Sequence, residues 1–163
     1  MSKSRAIVVI TWDLALSGIV ERVLGDSCRV VPFTTMQSSL DYVYNTTPDM
    51  MIVHIDPASA LTINILNELK GDPIFGHVPL LAVLNDDFPL PNWDFLYVED
   101  YIRKSSLEAE LHAKVDLCMR RAERVVEINP LTRLPGNIAI NKQIQKRLDA
   151  GEVFALAYAD LDF

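Results

Sequence analysis

Three short apolar runs fix most of what this chain can become: AIVVIT at residues 6–11, MMIVHI at 50–55 and LLAVL at 80–84. Each is far shorter than the roughly 20 residues that span a bilayer. Each is also too uniformly apolar for a strand with one wet face, so each reads as a strand buried on both sides. Helical spacing fills the gaps between them. Asp13 is placed to cap a helix carrying Leu16, Ile19, Val20, Val23 and Leu24, which Gly25 stops. Residues 29–33 read as a second short strand, and Met36, Leu40, Val43 and Tyr44 mark a helix that ends before Pro48. Ser59 precedes a helix carrying Leu61, Ile65, Leu66 and Leu69, closed by Gly71, Asp72 and Pro73; residues 101–103 supply a fifth strand. Strands alternating with helices predict an α/β fold, a doubly wound five-stranded parallel sheet with right-handed crossovers. In such sheets the working groups sit at the carboxyl ends of the strands.

One connection breaks the rhythm. Residues 85–98, NDDFPLPNWDFLYV, hold Pro89 and Pro91 and no helical stripe, so an irregular loop is expected, with Trp93 and Phe95 covering the sheet. After it, Ser105 and Glu108 have the spacing of a capping box, opening a helix that Pro130 ends near Ile128. Along that helix Leu111, Val115, Cys118, Ala122 and Val125 form a short heptad seam. Its first half is expected to pack on its own sheet, and its second half to meet a partner helix in a homodimer.

Composition removes several function classes. Half of the residues are hydrophobic, which points to a packed core rather than disorder. The formal charge is −7, and the basic residues Lys114, Arg120, Arg121 and Arg124 alternate with acids along one helix. That pattern reads as a solvated helix face, not the concentrated basic surface that nucleic acid requires. Cys28 and Cys118 stand far apart without a His/Cys cluster, so neither a disulfide framework nor a zinc site is expected. The polar residues 1–5 lead straight into a strand and do not read as a signal peptide. A cytoplasmic protein without nucleic-acid or membrane partners is expected.

The strings IVVITWD, PDMMIVHIDP, HVPLLAV and EDYIRKS, in this order, resemble a response-regulator receiver domain over residues 5 to about 120. That resemblance implies an acidic pair for Mg²⁺ after the first strand and a phospho-acceptor aspartate ending the third. It also implies a hydroxyl residue after the fourth strand and a lysine after the fifth. Matched one position at a time, Thr11 and Trp12 stand where the acidic pair belongs, and Asp13 is the remaining carboxylate of that turn. His54 takes the acceptor position, Leu84 the hydroxyl position and Ser105 the place of the usual proline; Lys104 matches. A degenerate pocket follows: a pseudo-receiver not phosphorylated in the usual Mg²⁺-dependent way, with His54 a satisfied neutral histidine. Two alternatives remain open at this point. A two-residue shift could rebuild an acidic pocket from Asp13, Asp56 and Lys104, making a working phospho-acceptor receiver served by a histidine kinase. Asp13, His54 and Asp56 could instead hold a transition-metal ion or form a ligand sensor.

Residues 129–137, NPLTRLPGN, resemble the opening motif of GGDEF domains, the diguanylate cyclase family. A helix with Ile140, Ile144 and Leu148, a turn at Gly151 and an apolar run at 153–159 that resembles the first core strand of that family follow, ending in Asp160-Leu161-Asp162; without parallel neighbours this run is expected to be disordered or packed against another chain. By this resemblance Asp160 would hold Mg²⁺ on GTP in an intact cyclase. The chain to Phe163 lacks the GG[DE]EF signature, so the sequence is expected to contain no enzyme of its own. The expected organisation is a receiver-like body at 1–105, a linking helix at 106–128 and the start of a GGDEF domain at 129–163. Its expected role is regulation of an attached output domain in cyclic di-GMP signalling, through dimerisation or docking.

Overall fold

The computed structural model describes residues 5–56, 59–72, 74–90, 92–94, 96–126 and 136–157. Elements follow in the expected order: β1 (Arg5–Ile10), α1 (Leu14–Leu24), β2 (Cys28–Phe33), α2 (Met36–Thr46), β3 (Met50–Ile55) and α3 (Ala60–Gly71). Then come β4 (Leu80–Leu84), β5 (Asp100–Arg103), α4 (Leu107–Val126) and α5 (Asn137–Asp149). The strands form one parallel sheet in the order β2-β1-β3-β4-β5. Every residue of β3 and β4 is buried, as their unbroken apolar runs require.

Side-chain alternation along the strands divides the core in two. Ile7, Val9, Met50, Ile52, Leu81, Val83 and Ile102 meet α1 and α4 on one face. Val8, Ile10, Met51, Val53, Leu80, Ala82 and Leu84 meet α2 and α3 on the other. Asp13 caps α1 as its sequence position suggests, its Oδ1 accepting from the N–H groups of Ala15 and Leu16 at 2.9 and 3.2 Å. The described part of segment 85–98 carries no helix. The Arg103 guanidinium ties it down by donating to the carbonyls of Asn85 and Phe88 at 2.7 and 2.6 Å. Leu96 is buried beneath it and Trp93 stacks on Tyr101 at 5.3 Å.

Two expectations need correction. The capping box does not form: a single 3₁₀ turn, Lys104–Ser106, precedes α4, and Ser105 donates instead to the Asp86 carboxylate. Glu108 is drawn off by Arg22, at 2.6 Å. Second, Leu111, Val115 and Cys118 are core residues, because the turns of α4 that carry them lie on the sheet. They are not available as a dimer seam; Ala122 is half-buried, and the Val125 side chain lies outside the described ones. Burial pushes the Cys118 thiol up to about 11, so it stays protonated and unreactive. Residues 153–157, the described part of the apolar run at 153–159, adopt no strand, and no described strand runs beside them to supply ladder hydrogen bonds.

The chain divides into two compact units, Met1–Ala122 and Glu123–Phe163. In the second, the turn after α5 holds Gly151, whose φ of +66° glycine adopts without the steric cost of a Cβ. Arg147 pairs with Glu152 at 3.2 Å and lies over the Phe154 ring. Most of the GGDEF-like motif, residues 129–135, and Asp160 lie outside the described residues.

Because Leu111 is fully buried between α4 and the sheet, Leu111→Ala is expected to cost about 3 kcal/mol of unfolding free energy in urea titration. Leu117→Ala, on the exposed side of the same helix, is expected to change stability by less than about 0.5 kcal/mol.

Candidate functional site

The alternation that builds the core also selects the residues at the carboxyl end of the sheet. Thr11 continues the row of Ile7 and Val9, His54 that of Met50 and Ile52, and Asn85 that of Leu81 and Val83. All three therefore leave the sheet on the α1/α4 side and meet. Thr11 and His54 are each 4 % exposed. The His54 ring spans the gap, Nδ1 lying 3.1 Å from Thr11 Oγ1 and Nε2 lying 3.0 Å from Asn85 Oδ1.

The partners decide where the protons sit. Asn85 Oδ1 only accepts, so His54 Nε2–H donates to it. Thr11 Oγ1 accepts from the Asp13 N–H at 3.0 Å and turns its own proton onto His54 Nδ1. The chain Asp13 N–H to Thr11 to His54 to Asn85 is complete with a neutral imidazole, and no buried polar side-chain atom among the described residues lacks a partner. Trp12 closes it from outside, stacked on the imidazole at 4.3 Å with an interplanar angle of 11°.

Lys104 reaches across from the end of β5 to Asp13, Nζ to Oδ2 at 2.5 Å. The Lys104 ammonium, together with the N–H groups of Leu16 and Ala15, holds the Asp13 carboxyl below the ordinary aspartate range. Asp56 lies apart from this pair, just past the end of β3, where its Oδ1 accepts from the Ser59 hydroxyl at 2.7 Å. The hydroxyl of Ser105 similarly lowers the Asp86 carboxyl.

Of the residues selected from the sequence, Thr11, Trp12 and His54 come together, with Asp13 and Lys104 paired alongside. Leu84 does not join them. It points to the opposite face and is buried with α2 and α3, so the residue that touches the acceptor position from β4 is Asn85. The period-2 row of Leu81 and Val83 would have found it. The two-residue shift is not realised, because β1 and β3 end at Ile10 and Ile55, in register through Ile10 and Val53. Among the described residues no group of three or more His, Cys, Asp or Glu could share a metal ion, which removes the proposed Asp13–His54–Asp56 site. A hard divalent cation calls for several oxygen donors; of the carboxylates near His54, Asp13 is paired with an ammonium and Asp56 accepts from the Ser59 hydroxyl. The site residues do not fit Mg²⁺.

No protein-family model matches the chain, and no curated protein does. Solved structures do. The receiver domain of a response regulator from Clostridium thermocellum superposes with a TM-score of 0.61 at 16% identity, covering 74% of this chain and 98% of that one. A response-regulator-receiver-modulated diguanylate cyclase from Pelobacter carbinolicus gives 0.58 at 16% identity, covering 74% and 97%. The receiver domain of a sensor histidine kinase from Pseudomonas aeruginosa, which carries magnesium in its active-site cleft, gives 0.63 at 14% identity, covering 72% and 99%. At these identities the likeness is one of architecture: the chain has the flavodoxin-like fold of receiver domains.

Asp13 serves as helix cap and as ion-pair partner, and the two roles separate by substitution. Asp13→Asn keeps an acceptor for the cap and is expected to cost about 0.5 kcal/mol, the value of a partly exposed pair. Asp13→Ala loses both and is expected to cost about 1–2 kcal/mol in denaturant titration. Since the folded state lowers this carboxyl, its contribution is present above the ordinary value of 3.8 and is lost as pH falls below it. Asp13→Asn should therefore flatten part of the acid limb of the stability–pH curve.

Proposed function

We propose that the chain is a receiver-like regulatory module that works without aspartyl phosphorylation, governing an attached GGDEF-family output domain by docking or dimerisation. The observation that carries this reading is the hydrogen-bonded His54 at the end of β3. Phosphoryl transfer to a receiver needs a carboxylate nucleophile, a divalent cation and a free ammonium on the transferred oxygens. Here an imidazole with both ring nitrogens engaged replaces the nucleophile, and Trp12 lies across it. The ammonium of Lys104 is held by Asp13.

Architecture supports the signalling class, since the solved structures it superposes on include receiver domains of a response regulator and of a sensor histidine kinase and a receiver-modulated diguanylate cyclase. The output assignment rests on the GGDEF-like strings at 129–137 and 153–163. On this reading α4 is the mechanical connection, leaving the sheet after Met119 and carrying any change in the receiver-like unit toward the output. Contact with a second copy falls to the part of α4 from Ala122 onward, because the earlier seam residues are core. Mg²⁺ and GTP belong to an intact output domain, with Asp160 as the proposed metal ligand. Among the described residues no helix is long and apolar enough to cross a membrane; a cytoplasmic site of action fits a module of this kind.

Intact mass after incubation with Mg²⁺ and acetyl phosphate tests the reading, using the chain alongside His54→Ala and Asp56→Ala. No phosphate adduct is expected in any of the three. An adduct abolished by Asp56→Ala would establish a working phospho-acceptor and contradict the proposal.

A further inference from the structure

Most charged side chains on the sheet-bound turns of α4 already have a partner within the chain. Glu108 pairs with Arg22 at 2.6 Å, Lys114 with Asp100 at 3.0 Å, and Asp116 with Arg120 at 2.7 Å. Glu110 and Arg121, both exposed, make no ion pair or side-chain hydrogen bond among the described residues. Between them lie Ala113, also exposed, and Leu117, an apolar side chain left 42 % exposed. The spacings of three, four and four residues hold Glu110, Ala113, Leu117 and Arg121 within about 80° of the helix surface. This stripe is separate from Leu111, Val115 and Cys118, which face the core.

The stripe is complementary to itself. Ala113 and Leu117 are centred on position 115, and Glu110 and Arg121 are centred within half a residue of it. A two-fold axis through that point would set Leu117 of each copy against Ala113 of the other, and Glu110 of each copy against Arg121 of the other. A large side chain opposite a small one suits the interaxial distance of about 8–10 Å at which helices pack. Parallel pairing would instead face Glu110 with Glu110 and Arg121 with Arg121, and like charges across a contact select against it.

We infer that two copies of this chain associate through an antiparallel contact of the α4 stripe, with Ala113 and Leu117 at its centre and Glu110 and Arg121 at its ends. The inference rests on the dimerisation proposed above and gives it a surface on the solvent side of α4, independent of the turns from Ala122 onward. Few residues from each copy take part, so the association is weak and concentration-dependent. It fails separately from the phosphorylation-independent reading: phosphate reads out by mass, association by sedimentation.

Sedimentation velocity of the 163-residue chain tests it, over a concentration series reaching about 1 mM. A sedimentation coefficient that rises with concentration toward that of a dimer is expected. Glu110→Arg and Arg121→Glu, each alone, put like charges across the contact and are expected to weaken association at least about tenfold. An equal mixture of the two variants restores both opposite-charge contacts and is expected to associate as the parent chain does, which a misfolded variant could not do. Leu117→Ala is expected to weaken association with the fold in place. A chain still monomeric at about 1 mM would overturn the assignment. So would single variants, Leu117→Ala included, that associate as tightly as the parent, or a mixture that associates no more tightly than its components.

Discussion

A histidine buried at the end of the central strand must have both ring nitrogens satisfied, and that requirement organises the carboxyl edge of this sheet. An unpaired buried nitrogen costs about 1–3 kcal/mol. Thr11 from β1 and Asn85 from β4 meet the need at 3.1 and 3.0 Å, drawing the ends of three adjacent strands into one network. Thr11 then accepts from the Asp13 N–H, at the start of α1, and Asp13 pairs with Lys104 at the end of β5. Asn85 extends the coupling the other way: its carbonyl takes the Arg103 guanidinium, which also holds Phe88 in the segment before β5. One buried imidazole thus links four of the five strands to a helix start and a long loop.

This geometry bears on function because it fills the place where charge chemistry would otherwise occur. A phosphoryl-accepting pocket concentrates negative charge that only a cation can balance, and it must leave its nucleophile accessible. The network here is neutral, buried and covered by an indole. Alongside it, the charges of Asp13 and Lys104 neutralise each other. A pocket built this way rigidifies one arrangement of the strand ends, which suits a domain that transmits contact or ligand occupancy rather than a phosphorylation state.

Much of the fold was legible in the sequence because it rests on periodicity. AIVVIT, MMIVHI and LLAVL could be buried only within a sheet covered on both faces, and Asp13 announced a helix start. The irregular segment after β4 followed from two prolines. The site was legible to the extent that it followed strand alternation. Family position selected Thr11, His54 and Lys104, which the structure places at one edge of the sheet; the same matching selected Leu84 and missed Asn85 one residue on, where alternation pointed to the correct face. The capping box of Ser105 and Glu108 failed for a different reason. Local spacing competed with tertiary partners, Asp86 and Arg22, that no local pattern discloses. The apolar run at 153–157 has strand composition, but a strand forms only beside another.

The most direct test of the account is the protonation pattern of the His54 ring, read by long-range ¹H–¹⁵N correlation in the 163-residue chain at neutral pH. The network predicts a neutral imidazole with its proton on Nε2 and an unprotonated Nδ1, unaltered by Mg²⁺ with beryllofluoride. A proton on Nδ1, or ring nitrogens that shift when those phosphoryl mimics are added, would contradict a hydrogen-bonded His54 and the phosphorylation-independent module built upon it.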